Sequence, residues 1–215
     1  MARTADHEAR RRQVAEAVEE IVATEGFDAV TVARTAKAAG ISVGLVQHYF
    51  RTKDEMLLHA FTTARERLEN RIQDEAKKAD KAGARIEQIL LDALTELLPL
   101  DDRRRRECRV ELAFTGRTVD NPELAAALGR SNSHIRGTVT RAVQNGKECG
   151  EVPGDTDEAE AAVRLLALTD GLRLHAYTEP GAVAAREAIA GELRRVFPGE
   201  CHHRPGEPRV RRPAG

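Results

Sequence analysis

The chain has 215 residues, with 34 Lys and Arg against 35 Asp and Glu and a formal net charge of -1. That balance excludes a uniformly basic nucleic-acid coat and an acidic disordered tail, while leaving room for a local basic patch. Two Tyr, five Phe and no Trp are too few rings for an all-β sandwich or barrel, whose strands favour aromatic and β-branched residues. No apolar run approaches the ~18 residues of a membrane span. The opening MARTADHEARRRQ lacks the apolar stretch of a secretory signal. Cys108, Cys149 and Cys201 are odd in number and form no CxxC pair, so they read as reduced thiols in a cytosol. Arg outnumbers Lys by 28 to 6, which hints at a GC-rich bacterial genome. The expectation is a cytoplasmic, bacterial, all-α protein.

Glycine and proline divide the chain into about nine helical stretches. The first, from about Glu8 to Thr24, places Val14, Val18, Ile21 and Val22 on one apolar stripe and stops at Gly26. Thr31 caps a short second helix ending at Gly40, and Ser42 caps a third ending near Phe50. Thr52 opens Thr-Lys-Asp-Glu, a capping box for a long fourth helix toward Ala79. Ile86, Ile89, Leu90, Leu94 and Leu97 mark a fifth from Arg85 to Leu98, closed by Pro99. A sixth runs from about Arg103 to Thr115. Asn121-Pro122 supplies cap and first residue of a seventh. Asp155 or Thr156 caps an eighth that reaches Thr178, and Pro180-Gly181 separates it from a ninth over 182–197. The tail from Pro198, with four Arg against two Glu, reads as disordered. The domains so drawn are 1–52, 53–197 and the tail 198–215.

Residues 31–50 carry the strongest functional signal. Two short helices joined by Gly40-Ile41-Ser42 fit a helix-turn-helix, whose second helix enters the major groove of DNA. Ile41, Val46 and Phe50 form the buried side. Ser42, Val43, Gly44, Leu45, Gln47 and His48 are left near the groove. Gln47 suits adenine, Leu45 or Val43 a thymine methyl, and Gly44 permits close backbone approach. Thr31, Val32, Tyr49 and Lys53 flank the motif, where hydroxyls, Lys and backbone N–H groups position phosphates. Arg34 and Lys37 read either as phosphate contacts or as a solvated outer face. Arg10, Arg11 and Arg12 add electrostatic affinity as an arm.

With EGFDAVTV (25–32), AKAAGIS (36–42), Gly44, HYF (48–50), Lys53 and MLL (56–58), residues 8–61 resemble the DNA-binding domain of the tetracycline-repressor (TetR) family. Two positions depart from its pattern: Thr35 stands where an aliphatic residue is common, and Gln47 where tyrosine is common. ALTDGL (167–172), His175-Ala176, Glu179-Pro180 and VELAFTG (110–116) resemble the C-terminal domain of the BetI-like subgroup. The resemblance implies a three-helix DNA-binding domain followed by a helical ligand-binding and dimerisation domain. It implies a repressor that binds a palindromic operator in double-stranded DNA and is nucleoid-associated when bound. It further implies release by a small-molecule effector. Its cavity would draw on Phe61, Leu90, Leu94, Cys108, Leu112, Phe114, Ile135, Leu168, Leu172 and His175, each of which also reads as plain core. The scarcity of rings after residue 50 disfavours an aromatic cage for a quaternary ammonium.

The eighth helix carries Ala, Val or Leu on nearly every side, so more than one of its faces is buried. A homodimer would supply the second cover, as the resemblance also implies, through Val163, Leu166, Ala167, Asp170, Gly171 and Leu174 with Ile189, Leu193 and Val196 of the ninth. The other reading is a central helix buried within one chain. No Gly-rich phosphate loop, HExxH or nucleophile elbow is present, so neither an enzyme nor a cofactor is expected. Cys201-His202-His203 reads as an adventitious metal binder. A regulator acting through protein partners, with lost or altered DNA recognition, is the alternative.

Overall fold

The computed structural model describes residues 2–181 and 184–201, and its helices follow the glycine and proline punctuation of the chain. Among the described residues the α-helices are α1 (Ala2–Glu25), α2 (Val32–Ala38), α3 (Val43–Tyr49), α4 (Lys53–Lys81) and α5 (Ile86–Thr95). They continue with α6 (Asp102–Arg117), α7 (Pro122–Cys149), α8 (Glu158–Thr178) and α9 (Ala185–Val196). A 3-10 turn at Phe27–Ala29 separates α1 from α2, and no strand occurs among the described residues. The fold is all-α.

Local chemistry sets most of these boundaries. Gly26, at φ 93, turns the chain out of α1 while its N–H donates to the Ile21 and Val22 carbonyls. The side chains of Thr31, Ser42, Thr52 and Asn121 accept from the backbone N–H three residues on, at 3.2, 3.1, 3.0 and 2.9 Å. Each quiets one of the orphan donors of a helix start. Glu55 completes its box by accepting from Arg51 N, one residue further back than the usual partner. Helix α8 departs from expectation. Its cap is Asp157, which accepts from Glu160 N at 2.9 Å, because Pro153 to Thr156 are used in a turn closed by Thr156 N–H on the Pro153 carbonyl.

Two compact units divide the chain. The first contains residues 1–70 and 101–131. Its core joins Val14, Val18 and Val22 of α1 to Val46 and Phe50 of the α3 end, Met56, Leu57 and Phe61 of α4, Phe114 of α6 and Leu124 of α7. The unit therefore reaches well past residue 52. Phe114 sits between Phe27 and Phe61, with ring centroids at 5.2 and 5.1 Å. Arg65, 8% exposed, pairs with Glu111 and donates to Ser131 Oγ at 2.9 Å, and Ser131 donates onward to Glu69. A buried guanidinium is tolerable only with such partners.

The second unit contains residues 71–100 and 132–215, of which 182–183 and 202–215 lie outside the described residues. Ile86, Leu90, Leu94, Val139, Val143, Leu165, Ile189, Leu193, Val196 and Phe197 are among its core residues. Residues 198–201, expected to begin a disordered tail, are placed here: Gly199 N–H donates to the Glu151 carbonyl at 3.0 Å, and Arg85 donates to the Gly199 carbonyl at 2.7 Å. The remainder of the expected disordered tail, 202–215, lies outside the described residues.

Candidate nucleic-acid interface

Helix α3 buries only Val46 and offers its other faces outward. Ser42, Val43, Gly44, Gln47 and His48 are exposed, whereas Leu45 and Tyr49 are half-buried. Residues 31–50 contain Arg34 and Lys37 and no Asp or Glu, so no carboxylate within the motif would repel phosphate. A Cβ built on Gly44 would meet nothing within 4 Å. Gly44 is the second residue of α3, and packing within the chain supplies no reason for its missing side chain. The empty position faces outward, where only an approaching partner would use it.

Alpha-helix α1 fixes both short helices by their C-terminal ends. Gln13 Nε2 donates to the Ala39 carbonyl at 2.6 Å, and Arg11 donates to the Tyr49 carbonyl at 3.0 Å. The Arg11 guanidinium also lies 4.4 Å from the Phe50 ring centroid. Unpaired carbonyls at helix ends carry partial negative charge, so a cation there is favourable. Arg11 thus serves in the clasp instead of a free basic arm; Arg10 bonds Gln13 and Arg12 is exposed. Sequence reading missed this clasp because the bonded residues are 26 and 38 positions apart.

The flanking candidates divide. Thr31 and Lys53 are exposed, Val32 is half-buried, and Lys37 is exposed on the outer side of α2. Arg34 pairs with Glu25 at the end of α1. The Tyr49 ring meets His7 and His48 edge-on, at 4.8 and 5.3 Å. Below the motif, His59 is half-buried against Phe50, and burial, followed by the Arg11 charge, holds its imidazole below the usual histidine range. Thr35 is fully buried and its hydroxyl has no hydrogen-bond partner.

The residues expected to line an effector cavity fall in both units. Phe61, Cys108, Leu112 and Phe114 belong to the first, where Phe61 and Phe114 are spent in the ring cluster. Leu90, Leu94, Ile135, Leu168 and Leu172 belong to the second, the first two buried and the others half-buried. His175 is exposed on α8. On the same helix Val163, Ala167, Asp170, Gly171 and Leu174 are exposed along one stripe, beside half-buried Leu166. Ile189, Leu193 and Val196 are corrected: they are buried at 0, 0 and 3% exposure in the second unit's own core and are unavailable to another chain.

Comparison with known proteins assigns the architecture. Residues 84–197 match the family described as BetI-type transcriptional repressor, C-terminal, and residues 15–60 match bacterial regulatory proteins, tetR family. The chain belongs to the TetR family. It is 33% identical over 180 residues to the HTH-type transcriptional regulator PksA of Bacillus subtilis, covering 84% of each chain. A TetR-fold crystal structure of a transcriptional regulator from Rhodococcus sp. Rha1 is 30% identical, with a TM-score of 0.75 over 86% of this chain and 95% of the other. A regulator from Saccharomonospora viridis, solved in complex with choline, shares the fold at 22% identity and a TM-score of 0.75, covering 87% and 95%. TetR-family proteins are transcriptional regulators and not enzymes; they bind DNA and small-molecule effectors and function as dimers. Among the described residues no helix is long and apolar enough to cross a membrane.

Proposed function

We propose that this TetR-family regulator is a repressor, binding a palindromic operator as a homodimer and released from it by a small-molecule effector. The observation that carries the reading is the outward face of α3, where Val43, Gly44, Gln47 and His48 are exposed in a segment free of carboxylates. Gln47 would read a base edge, Val43 and Leu45 would approach thymine methyls, and Ser42 and His48 would complete the groove contact. Thr31, Tyr49 and Lys53 would position the helix on phosphates, with Val32 and Arg34 at the margin. The α8 stripe of Val163, Leu166, Ala167, Asp170, Gly171 and Leu174 would pair with its copy, setting two recognition helices about one turn of DNA apart.

The effector would bind in the second unit against Leu90, Leu94, Ile135, Leu168 and Leu172. That lining is aliphatic, which favours an apolar molecule. The choline complex of the Saccharomonospora viridis relative supports ligand binding in this fold, while the scarcity of rings argues against a quaternary ammonium here. Binding would favour a conformation with lower operator affinity, by linkage.

A mobility-shift assay with DNA from the chain's own promoter region tests the proposal. Retardation above nonspecific DNA at moderate salt is the expected result. Gln47→Ala should cost about 1–3 kcal/mol and relax preference at one base pair, whereas Lys53→Ala should weaken all sequences and lower the salt slope by about one. No retarded fragment, or affinity untouched by both substitutions, would overturn it.

A further inference from the structure

At the start of α5 the second unit gathers three side chains able to hold a metal, none of them used in reading DNA. The ligand atoms of Cys149, Glu151 and Cys201 all lie within 4.8 Å of one another. Cys149 and Glu151 are buried, at 2 and 0% exposure, and Cys201 is half-buried. Glu151 accepts from the N–H groups of Ile86 and Glu87 at 3.1 and 3.2 Å, one on each oxygen, which caps α5 in place of its own N-cap residue, Arg85. Each carboxylate oxygen has two acceptor positions; beyond these bonds Oε1 faces the Cys149 sulfur and Oε2 faces Arg85 Nε at 3.6 Å, so the metal would take the Oε1 position now held by the thiol proton.

Cys149 Sγ stands 3.6 Å from Glu151 Oε1. A tetrahedral zinc ion, with bonds of about 2.3 Å to sulfur and about 2.0 Å to oxygen, sets these two ligands about 3.5 Å apart. The half-buried Cys201 leaves one side of the cluster toward solvent. Its approach is built into the backbone: Gly199 bonds the Glu151 carbonyl and receives Arg85, and a Cβ on Gly199 would lie 2.2 Å from the Gly150 carbonyl oxygen. Only glycine lets this segment lie so close.

We propose that Cys149, Glu151 and Cys201 form a binding site for a thiophilic divalent cation of the Zn2+ type, with the fourth coordination position open to solvent. Two thiols and one cation give two metal–sulfur bonds and release two protons, so no oxidant is required. Thiolate sulfur selects such ions over Mg2+ or Ca2+. Occupancy fastens residues 198–201 to the end of α7 and the start of α5, within the second unit alone.

Titration of the reduced full-length chain with Cd2+, followed by the thiolate-to-cadmium charge-transfer band, tests the site, with Zn2+ competing against a chromogenic chelator. One Cd2+ should bind per chain. Cys149→Ser and Cys201→Ser should each diminish the band and weaken Zn2+ binding at least about tenfold, while Cys108→Ser leaves both unchanged. Glu151→Gln also disturbs the α5 cap, so Cys201→Ser carries the test, with helix content checked by circular dichroism. An undiminished band in both serine variants would overturn the proposal. So would binding lost only on replacing His202 and His203, which lie outside the described residues and would then hold the ion in the tail. A reduced chain that takes up no Cd2+, yet loses two thiols to peroxide at Cys149 and Cys201, would make the cluster a redox pair and overturn it equally.

Discussion

The first unit exposes a helix of small and polar residues, and the second exposes a helix with an apolar stripe. On α3 the outward residues are Ser42, Val43, Gly44, Gln47 and His48; on α8 they include Val163 and Leu174, at 50 and 48% exposure. The two helices are also held differently. Helix α3, with a single buried side chain, depends on the Ser42 cap and on one hydrogen bond from α1. Helix α8 buries Ala161, Ala162, Leu165, Thr169 and Ala176, and packing keeps it in place. A surface fastened by polar contacts suits a hydrated polyanion that needs a rigid template. An apolar stripe on a well-anchored helix suits another protein chain, because its burial removes hydrocarbon from water.

Substituting Val163→Asp together with Leu174→Asp attacks the second half of that contrast. Both side chains count once per protomer, so the dimer should weaken by about 4 kcal/mol, roughly a thousandfold in its dissociation constant. Sedimentation velocity reads this, and an unchanged association state would place the interface elsewhere. Arg11→Ala with Gln13→Ala attacks the first half. Loss of the two carbonyl bonds and of the cation–π contact should lower stability by about 3 kcal/mol in urea, and operator affinity should fall although α3 itself is unaltered. Thr35→Val sharpens the picture in the opposite direction. Removing a buried hydroxyl without a partner should stabilise the fold by about 1 kcal/mol, detected as a higher melting temperature with DNA recognition intact.

The smallest effect concerns acid. Burial and the Arg11 charge oppose protonation of His59, while Glu8 and Glu55 favour it, and the net direction is downward. Its contribution to stability is therefore complete above the unfolded value near about 6.5 and is lost as pH falls from there toward the folded value. Solvent access to this half-buried ring keeps the loss small. His59→Gln should flatten the stability profile on the acid side of about pH 6.5, measured by denaturant midpoints.

Features written in neighbouring residues were legible in the chain. Thr31, Ser42, Thr52 and Asn121 each cap the helix that directly follows, so the helix-turn-helix and the starts of α4 and α7 could be drawn from the sequence. Asp157 was missed because Asp155 and Thr156 offer the same chemistry, and only the turn beginning at Pro153 excludes them. Ile189, Leu193 and Val196 show the limit of periodicity: it finds an apolar stripe but does not say whether the same chain or a second one covers it. In α8, where apolar residues occur all round, periodicity also gives no phase for His175, which is exposed. Phe114 carried the same ambiguity between cavity and core, and the rings it packs against, Phe27 and Phe61, lie far away in the chain. The Arg11 and Gln13 clasp and the Cys149, Glu151 and Cys201 cluster join distant segments, and no local signal announced them.

The clasp separates two properties that are usually tuned together. In the proposed reading, residues on α3 choose which base pairs are read, and Arg11 and Gln13 set how firmly the reader is mounted. Drift at these two positions could adjust operator occupancy across related genomes while the recognised sequence stayed constant. Paralogues of one chain could then share a binding site and differ only in how long they remain on it.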